Sequence, residues 1–169
     1  MRGQTIAKTL ANGYAGSYAR QPDMIVDTHP AGGTARIAFG AALVYGSGGV
    51  VEAFGASGTA MDFLGVAVRE VKAATDYLNQ NVGSYGPGEA VPVMKRGCVN
   101  VICQDGTPSA GGTVYVRTVA NDAKPNAAVG GFEAAADTGK NVALTNVKWK
   151  SAADQNGVAE LCILTRNNA

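Results

Sequence analysis

Short runs of valine, isoleucine and aromatic residues recur along most of this chain, often alternating with polar positions and separated by glycine-rich breaks. This pattern predicts strands at residues 24–28, 35–39, 42–45, 50–54, 63–71, 90–94, 98–103, 113–119, 142–150 and 158–164. β-Branched side chains fit a pleated surface and lose rotamer freedom in a helix. The intervening segments, including Gly46-Ser-Gly-Gly49, Gly83-Ser-Tyr-Gly-Pro-Gly88 and Asp154-Gln-Asn-Gly157, are rich in residues that supply the backbone angles of tight turns. Many short strands with such turns indicate a sandwich, a jelly roll or a barrel.

Two strands carry further detail. In 113–119, Val114 and Val116 face opposite to Tyr115 and Arg117. In 142–150 the pair Val142 and Leu144 is out of phase with Val147 and Trp149, which predicts a bulge near Thr145-Asn146. Leu64, Val68, Val71 and Leu78 also match a helical stripe. The segment 63–71 is read as strand because no strong helix start precedes it, with a helical turn expected at 72–78. Residues 120–141, rich in alanine and glycine, are expected as a surface flap or weak edge strands anchored by Val129 and Phe132.

Composition sharpens the β assignment. Of 169 residues, 23 are Gly and 29 are Ala, so much of the apparent hydrophobicity carries almost no side chain. Among the larger aliphatics, 24 Val and Ile outnumber 11 Leu and Met. Charged residues make up 16% and the net charge is +1, which points away from an acidic disordered tail and from a generally basic nucleic-acid binder. No apolar run approaches the length of a transmembrane helix, and the N-terminal stretch lacks the apolar block of a signal peptide, so neither a membrane nor secretion by that route is expected.

The charge is uneven. Residues 1–22 hold Arg2, Lys8 and Arg20 and no acid, giving +3, while the rest holds 11 basic and 13 acidic residues, giving −2. Thr5 to Ala11 has room for about two helical turns, a marginal length in water. The chain is therefore divided into an N-terminal arm, 1–22, with Tyr14 and Tyr18 as aromatic anchors, and a β domain, 23–169.

Catalytic chemistry has few parts to draw on. The single histidine, His29, lies in Asp27-Thr-His-Pro30 with no nucleophile elbow, and is read as a turn residue. One histidine does not furnish a cupin-like metal site. Asp62, Glu70, Asp76 and Glu89 are acids with no sequence reason to converge. No dinucleotide or P-loop glycine pattern occurs. Lys148-Trp149-Lys150 offers a base-stacking site, but the only tryptophan, at a strand end, reads as packing. Cys98, Cys103 and Cys162, with no C-x-x-C, are expected as reduced, buried small hydrophobes, with a disulfide or a reactive thiol as the alternatives. No enzyme activity, cofactor, metal site, nucleic-acid partner or membrane partner is expected.

Taken in order, Gly13-Tyr-Ala-Gly16 leads to Ala35-Arg-Ile-Ala-Phe-Gly40, Ala42-Leu-Val-Tyr-Gly46 and Phe63-Leu-Gly-Val-Ala-Val-Arg69. These are followed by Tyr85-Gly-Pro-Gly-Glu-Ala-Val-Pro-Val93, Gly97-Cys-Val-Asn-Val101, Gly112-Thr-Val-Tyr-Val116, Val147-Lys-Trp-Lys-Ser151 and Gly157-Val-Ala-Glu-Leu161. This succession, spanning about residues 13–164, resembles the structural cement or capsid decoration proteins of tailed phages. The resemblance lies in the order of strand-and-turn patterns and contains no catalytic motif.

It implies a non-enzymatic all-β protein, a jelly-roll-like sandwich or partly open barrel with an extended N-terminal arm. A β-tulip-like head-stabilising fold is the alternative. The implied role is to bind the outer surface of an icosahedral head in the virion, after synthesis in the host cytoplasm, and to bridge neighbouring major capsid proteins. The implied partners are the major capsid protein and further copies of the chain, as a dimer by preference or a trimer. The residues themselves mark Arg2, Lys8, Tyr14, Tyr18 and Arg20 as candidate capsid contacts, since Tyr and Arg are favoured at interface hot spots. A carbohydrate- or receptor-binding sandwich of a tail fibre or adhesin is the competing reading, which needs exposed aromatic platforms from only 11 aromatic residues.

Overall fold

Two 13-residue strands, β1 (Tyr18–Pro30) and β7 (Ala90–Ile102), lie antiparallel to each other and organise the fold in a computed structural model that describes residues 11–70 and 82–167. Along the other edge of β7, its first half pairs with β5 (Gly65–Ala67) at Val93 and Met94, and its second half with β11 (Val158–Ile163). From β5 the sheet continues to β3 (Ala42–Tyr45) and β4 (Val51–Ala53). From β11 it continues to β10 (Asn141–Trp149), β8 (Thr113–Arg117) and β9 (Phe132–Glu133). Every pairing of named strands is antiparallel. A small second sheet pairs β2 (Ile37–Ala38) with β6 (Ser84–Tyr85).

Both ends of the large sheet curl back. Single parallel bridges join Ala31, just past β1, to Val51 of β4, and Cys103, just past β7, to Phe132 of β9. The result is an all-β, jelly-roll-like half-barrel, as the sequence pattern predicts.

The long strand β7 must pack on both faces, and its sequence allows it. Val91 and Val93 join Leu43, Leu64 and Tyr85 in one buried cluster, while Met94, Val99 and Val101 join Trp149, Leu161 and Phe132 in the larger one. That change of parity between Met94 and Val99 needs a bulge, and the pairing with β1 places it at Lys95, between Met94 opposite Val26 and Arg96 opposite Ile25, with Gly97 at φ +117° just beyond. A Cβ at Gly97 falls 2.9 Å from the Asp23 carbonyl oxygen and from the Met24 Cβ, so only glycine lets β1 approach here. Full burial of side chains such as Val99 and Leu161 contributes roughly 1.5–3 kcal/mol each.

Several expectations are corrected. The predicted strands 90–94 and 98–103 are one continuous strand, because the Lys95-Arg96-Gly97 interruption is a bulge and not a turn. The predicted 63–71 strand shortens to Gly65–Ala67; residue 71 and the turn expected at 72–78 lie outside the described residues, as does the expected helical stretch up to residue 10. His29 lies in β1 opposite Val91, so it is a strand residue and not a turn residue. Cys98 and Cys162 are bonded to each other, because β7 and β11 place them directly opposite. The 120–141 segment holds β9, a two-residue edge strand on β8. The register of β10 against β8 slips between Leu144 and Lys148, where a bulge was expected.

Candidate functional site

Residues 12–20 reach the sheet through backbone contacts that glycine makes feasible. The Gly16 amide donates to the Asn100 carbonyl at 2.7 Å, and its own carbonyl accepts from the Arg69 amide at 2.8 Å. Gly16 has φ +80°, and a Cβ there falls 2.9 Å from three backbone atoms, those of Ala67, Arg69 and Gly40. Asn12 extends the fastening. Its backbone amide donates to Asp154 Oδ2 at 2.9 Å, its side-chain amide donates to the Val158 carbonyl at 2.8 Å, and its carbonyl accepts from Asn100 Nδ2 at 2.6 Å.

Three of the five candidate contact residues lie among the described residues. Tyr14 is 70% exposed, and the Arg69 guanidinium sits 4.9 Å above its ring. The same guanidinium lies 5.9 Å from the ring of Phe39. The Tyr18 hydroxyl donates to Glu70; burial first, and then that carboxylate, push its pKa well above the ordinary range. Arg20 donates through Nε to Glu160 Oε1 at 2.5 Å and through Nη2 to Glu160 Oε2 at 3.1 Å, and its side chain remains 61% exposed. Arg2 and Lys8 lie outside the described residues.

Each of Tyr14, Tyr18 and Arg20 engages a side chain of the body: Tyr14 and Tyr18 meet the consecutive residues Arg69 and Glu70, while Arg20 meets Glu160 of β11. Arg69 and Phe39 adjoin Tyr14, and Arg36 lies three residues before Phe39; all three were missed by charge asymmetry, which singles out only the arm. The signal available for them was the alternation in residues 35–39, which sets Arg36 apart from buried Ile37.

Other chemistry-bearing groups stay apart or serve the fold. Asp62 caps the Thr59 turn, accepting from the Thr59 amide at 2.8 Å and its hydroxyl at 2.7 Å; Glu89 accepts from the Gly86 amide at 2.7 Å; Asp76 lies outside the described residues. Lys95, nearly buried, donates from Nζ to the Tyr45 hydroxyl at 2.8 Å and pairs with Asp27 Oδ2 at 2.9 Å. Burial opposes its charge, but those two partners more than offset this and hold its pKa above the usual value, while Lys95 holds Asp27 below the carboxylate range. His29 packs edge-on against Tyr45, with ring centroids 5.5 Å apart.

Cys98, Cys162 and Glu160 bring three potential metal-ligating atoms within 4.8 Å of one another. The two sulfurs are committed to their disulfide and Glu160 to Arg20, so this set does not offer ligands. Cys103 keeps a free thiol that burial pushes toward its neutral form. Trp149 packs in the core, as expected.

Around Tyr14 the surface carries exposed aromatic and guanidinium groups over backbone that is hydrogen-bonded to the sheet. The model of the family described as "Structural cement protein (E217 gp24/Pam3 gp6)" matches residues 3–164. No curated protein matches. Among solved structures, a chain of "The capsid of Myoviridae Phage XM1" is similar over 96% of this chain and 98% of that one, with 17% identity and a TM-score of 0.68. At that identity the likeness speaks to the fold.

Proposed function

Because the chain belongs to the structural cement protein family, a family of capsid-stabilising structural proteins, we propose that it binds the outer surface of an icosahedral phage head and ties neighbouring major capsid proteins together. The observation that carries this reading is the family match over nearly the whole chain. Membership of a structural family implies a non-enzymatic role. The work is done by buried contact area, on the order of 1,600 Å² for a standard interface, repeated by the symmetry of the shell.

Within this reading residues 1–22 form the capsid-contacting arm, with Arg2, Lys8, Tyr14, Tyr18 and Arg20 as its contacts, and the chain acts as a small homo-oligomer, a dimer by preference. Two features support the arrangement. The arm's root, residues 12–20, is fixed by hydrogen bonds to Asn100 of β7 and Val158 of β11, so force applied to it reaches those strands. The disulfide between those two strands ties them further.

Heads assembled without the chain provide the test. Adding the purified chain is expected to decorate them and to raise the temperature at which they release DNA. An electron-microscopy map is expected to place it on the outer face, and a native mass measurement is expected to give a dimer. Heads that bind no chain, or that bind it and release DNA at the same temperature as bare heads, overturn the proposal.

A further inference from the structure

An open cleft of about 250 Å³ lies between residues 38–41 and the 128–132 loop, beside the arm's root at Ala15. Its floor is made of small residues such as Ala41, Ala53 and Gly130, and two of its lining side chains are unusually exposed for their type, Ile102 at 49% and Val129 at 39%. Gln104 lines the same cleft with a buried Oε1 that has no hydrogen-bond partner among the described residues. A buried amide oxygen left unpaired costs free energy unless something supplies a donor.

The rim is cationic. Arg36 lines the cleft and donates only to the Ser84 hydroxyl and carbonyl, at 2.8 and 3.2 Å, and to no carboxylate among the described residues. Arg69 continues the rim over Phe39 and Tyr14 and also has no carboxylate within ion-pair distance among the described residues. A narrow apolar floor, one buried acceptor and two guanidinium groups with no carboxylate partner among the described residues suit an extended peptide: a backbone N–H for Gln104, a medium-sized apolar side chain for the floor, a carboxylate for the rim.

Charge decides whose peptide it is. The chain's own first ten residues carry Arg2 and Lys8 and no acid, so the rim repels them. A second copy meeting this face about a two-fold axis would set arginine rim against arginine rim. We propose that the cleft seats an extended segment of the major capsid protein that presents an apolar side chain flanked by a carboxylate; this rests on the capsid-binding reading above.

The test uses the full chain and undecorated heads. Ala128→Trp fills the cleft from an exposed position, and Arg36→Glu and Arg69→Glu reverse the rim. Each is expected to weaken head binding tenfold or more, the charge reversals most at low salt, with the unfolding midpoint unchanged. A photo-cross-linking side chain at position 128 is expected to yield an adduct of the chain with the major capsid protein, a readout that holds even if a substitution disturbs folding. Variants that bind within twofold of wild type, or an adduct joining two copies of the chain or position 128 to residues 1–10, overturn the cleft proposal while leaving the capsid reading intact. Failure of the wild-type chain to bind heads overturns both.

Discussion

Arg117 carries a full charge at a place no water reaches. Alternation along 113–119 sets it opposite Val114 and Val116, on the face where solvent would be expected, yet its side chain is 0% exposed. The guanidinium forks onto Glu133, equally buried, and donates through Nη2 to Asp137 Oδ2 at 2.9 Å. Asn141 donates to Glu133 at 2.6 Å and Asn121 to Asp137 at 3.0 Å, so the oxygens are well satisfied. Burial opposes the charge on Arg117, but the two carboxylates outweigh it and raise its pKa. Glu133 sits in β9 and Asp137 in the loop beyond it, so this network adds a side-chain tie to the β8–β9 pairing and backbone bonds that hold the 120–141 excursion to β8. Arg117→Met removes one partner and strands a buried carboxylate, which costs about 3–5 kcal/mol, whereas Arg117→Met with Glu133→Leu restores much of the loss. Urea unfolding of the two variants is the check. A single variant within 1 kcal/mol of wild type would show that the pair is not a structural tie.

At the scale of elements, β7 concentrates what the sequence hid. The run Ala42–Tyr45 was legible because glycines bound it at Gly40 and Gly46 and its apolar positions are contiguous. Residues 90–102 read as two strands because a lysine, an arginine and a glycine interrupt the apolar pattern. In the fold, Lys95 is paired with Asp27 and hydrogen-bonded to Tyr45, at a bulge that shifts the register so that both faces can bury valines. Strands of two residues, such as β6 and β9, have no periodicity to detect. Alternation in 35–39 marks Arg36 as outward-facing, but its meeting with Gln104 across the cleft comes only from the fold.

The disulfide belongs to the same class, since a separation of 64 residues says nothing until β7 and β11 are in register. Closing a loop of that length restricts the unfolded chain by about 4 kcal/mol in the chain-entropy account. Cys98→Ser, or reductant added to the wild type, is therefore expected to lower the unfolding free energy by about that much, and reductant should then have no further effect on Cys98→Ser. Equal unfolding midpoints with and without reductant would mean that the two thiols are not joined in solution.

For the whole molecule, the +3 carried by residues 1–22 and the −2 of the remainder describe a charged strap on a weakly acidic body. The fold separates two jobs within that strap. Tyr18 and Arg20 pair with Val99 and Cys98 of β7, and Gly16 bonds to the backbone of Asn100 and Arg69, so deleting all 22 residues removes sheet pairing together with charge. Such a deletion is expected to lower stability, and a loss of head binding by it alone does not isolate the arm's charge. Replacing Arg2 and Lys8 by Glu does, because it moves the arm from +3 to −1 and leaves residues 12–22 in place. If the arm steers the chain onto an acidic patch of the shell, this double variant binds heads several-fold more weakly at low salt, and the difference shrinks as the Debye length falls toward about 8 Å at physiological ionic strength and below it in higher salt. Binding curves that coincide with those of the wild type at low salt would remove charge from the arm's role and leave the aromatic and guanidinium rim of Tyr14, Arg69 and Arg36 to carry the contact.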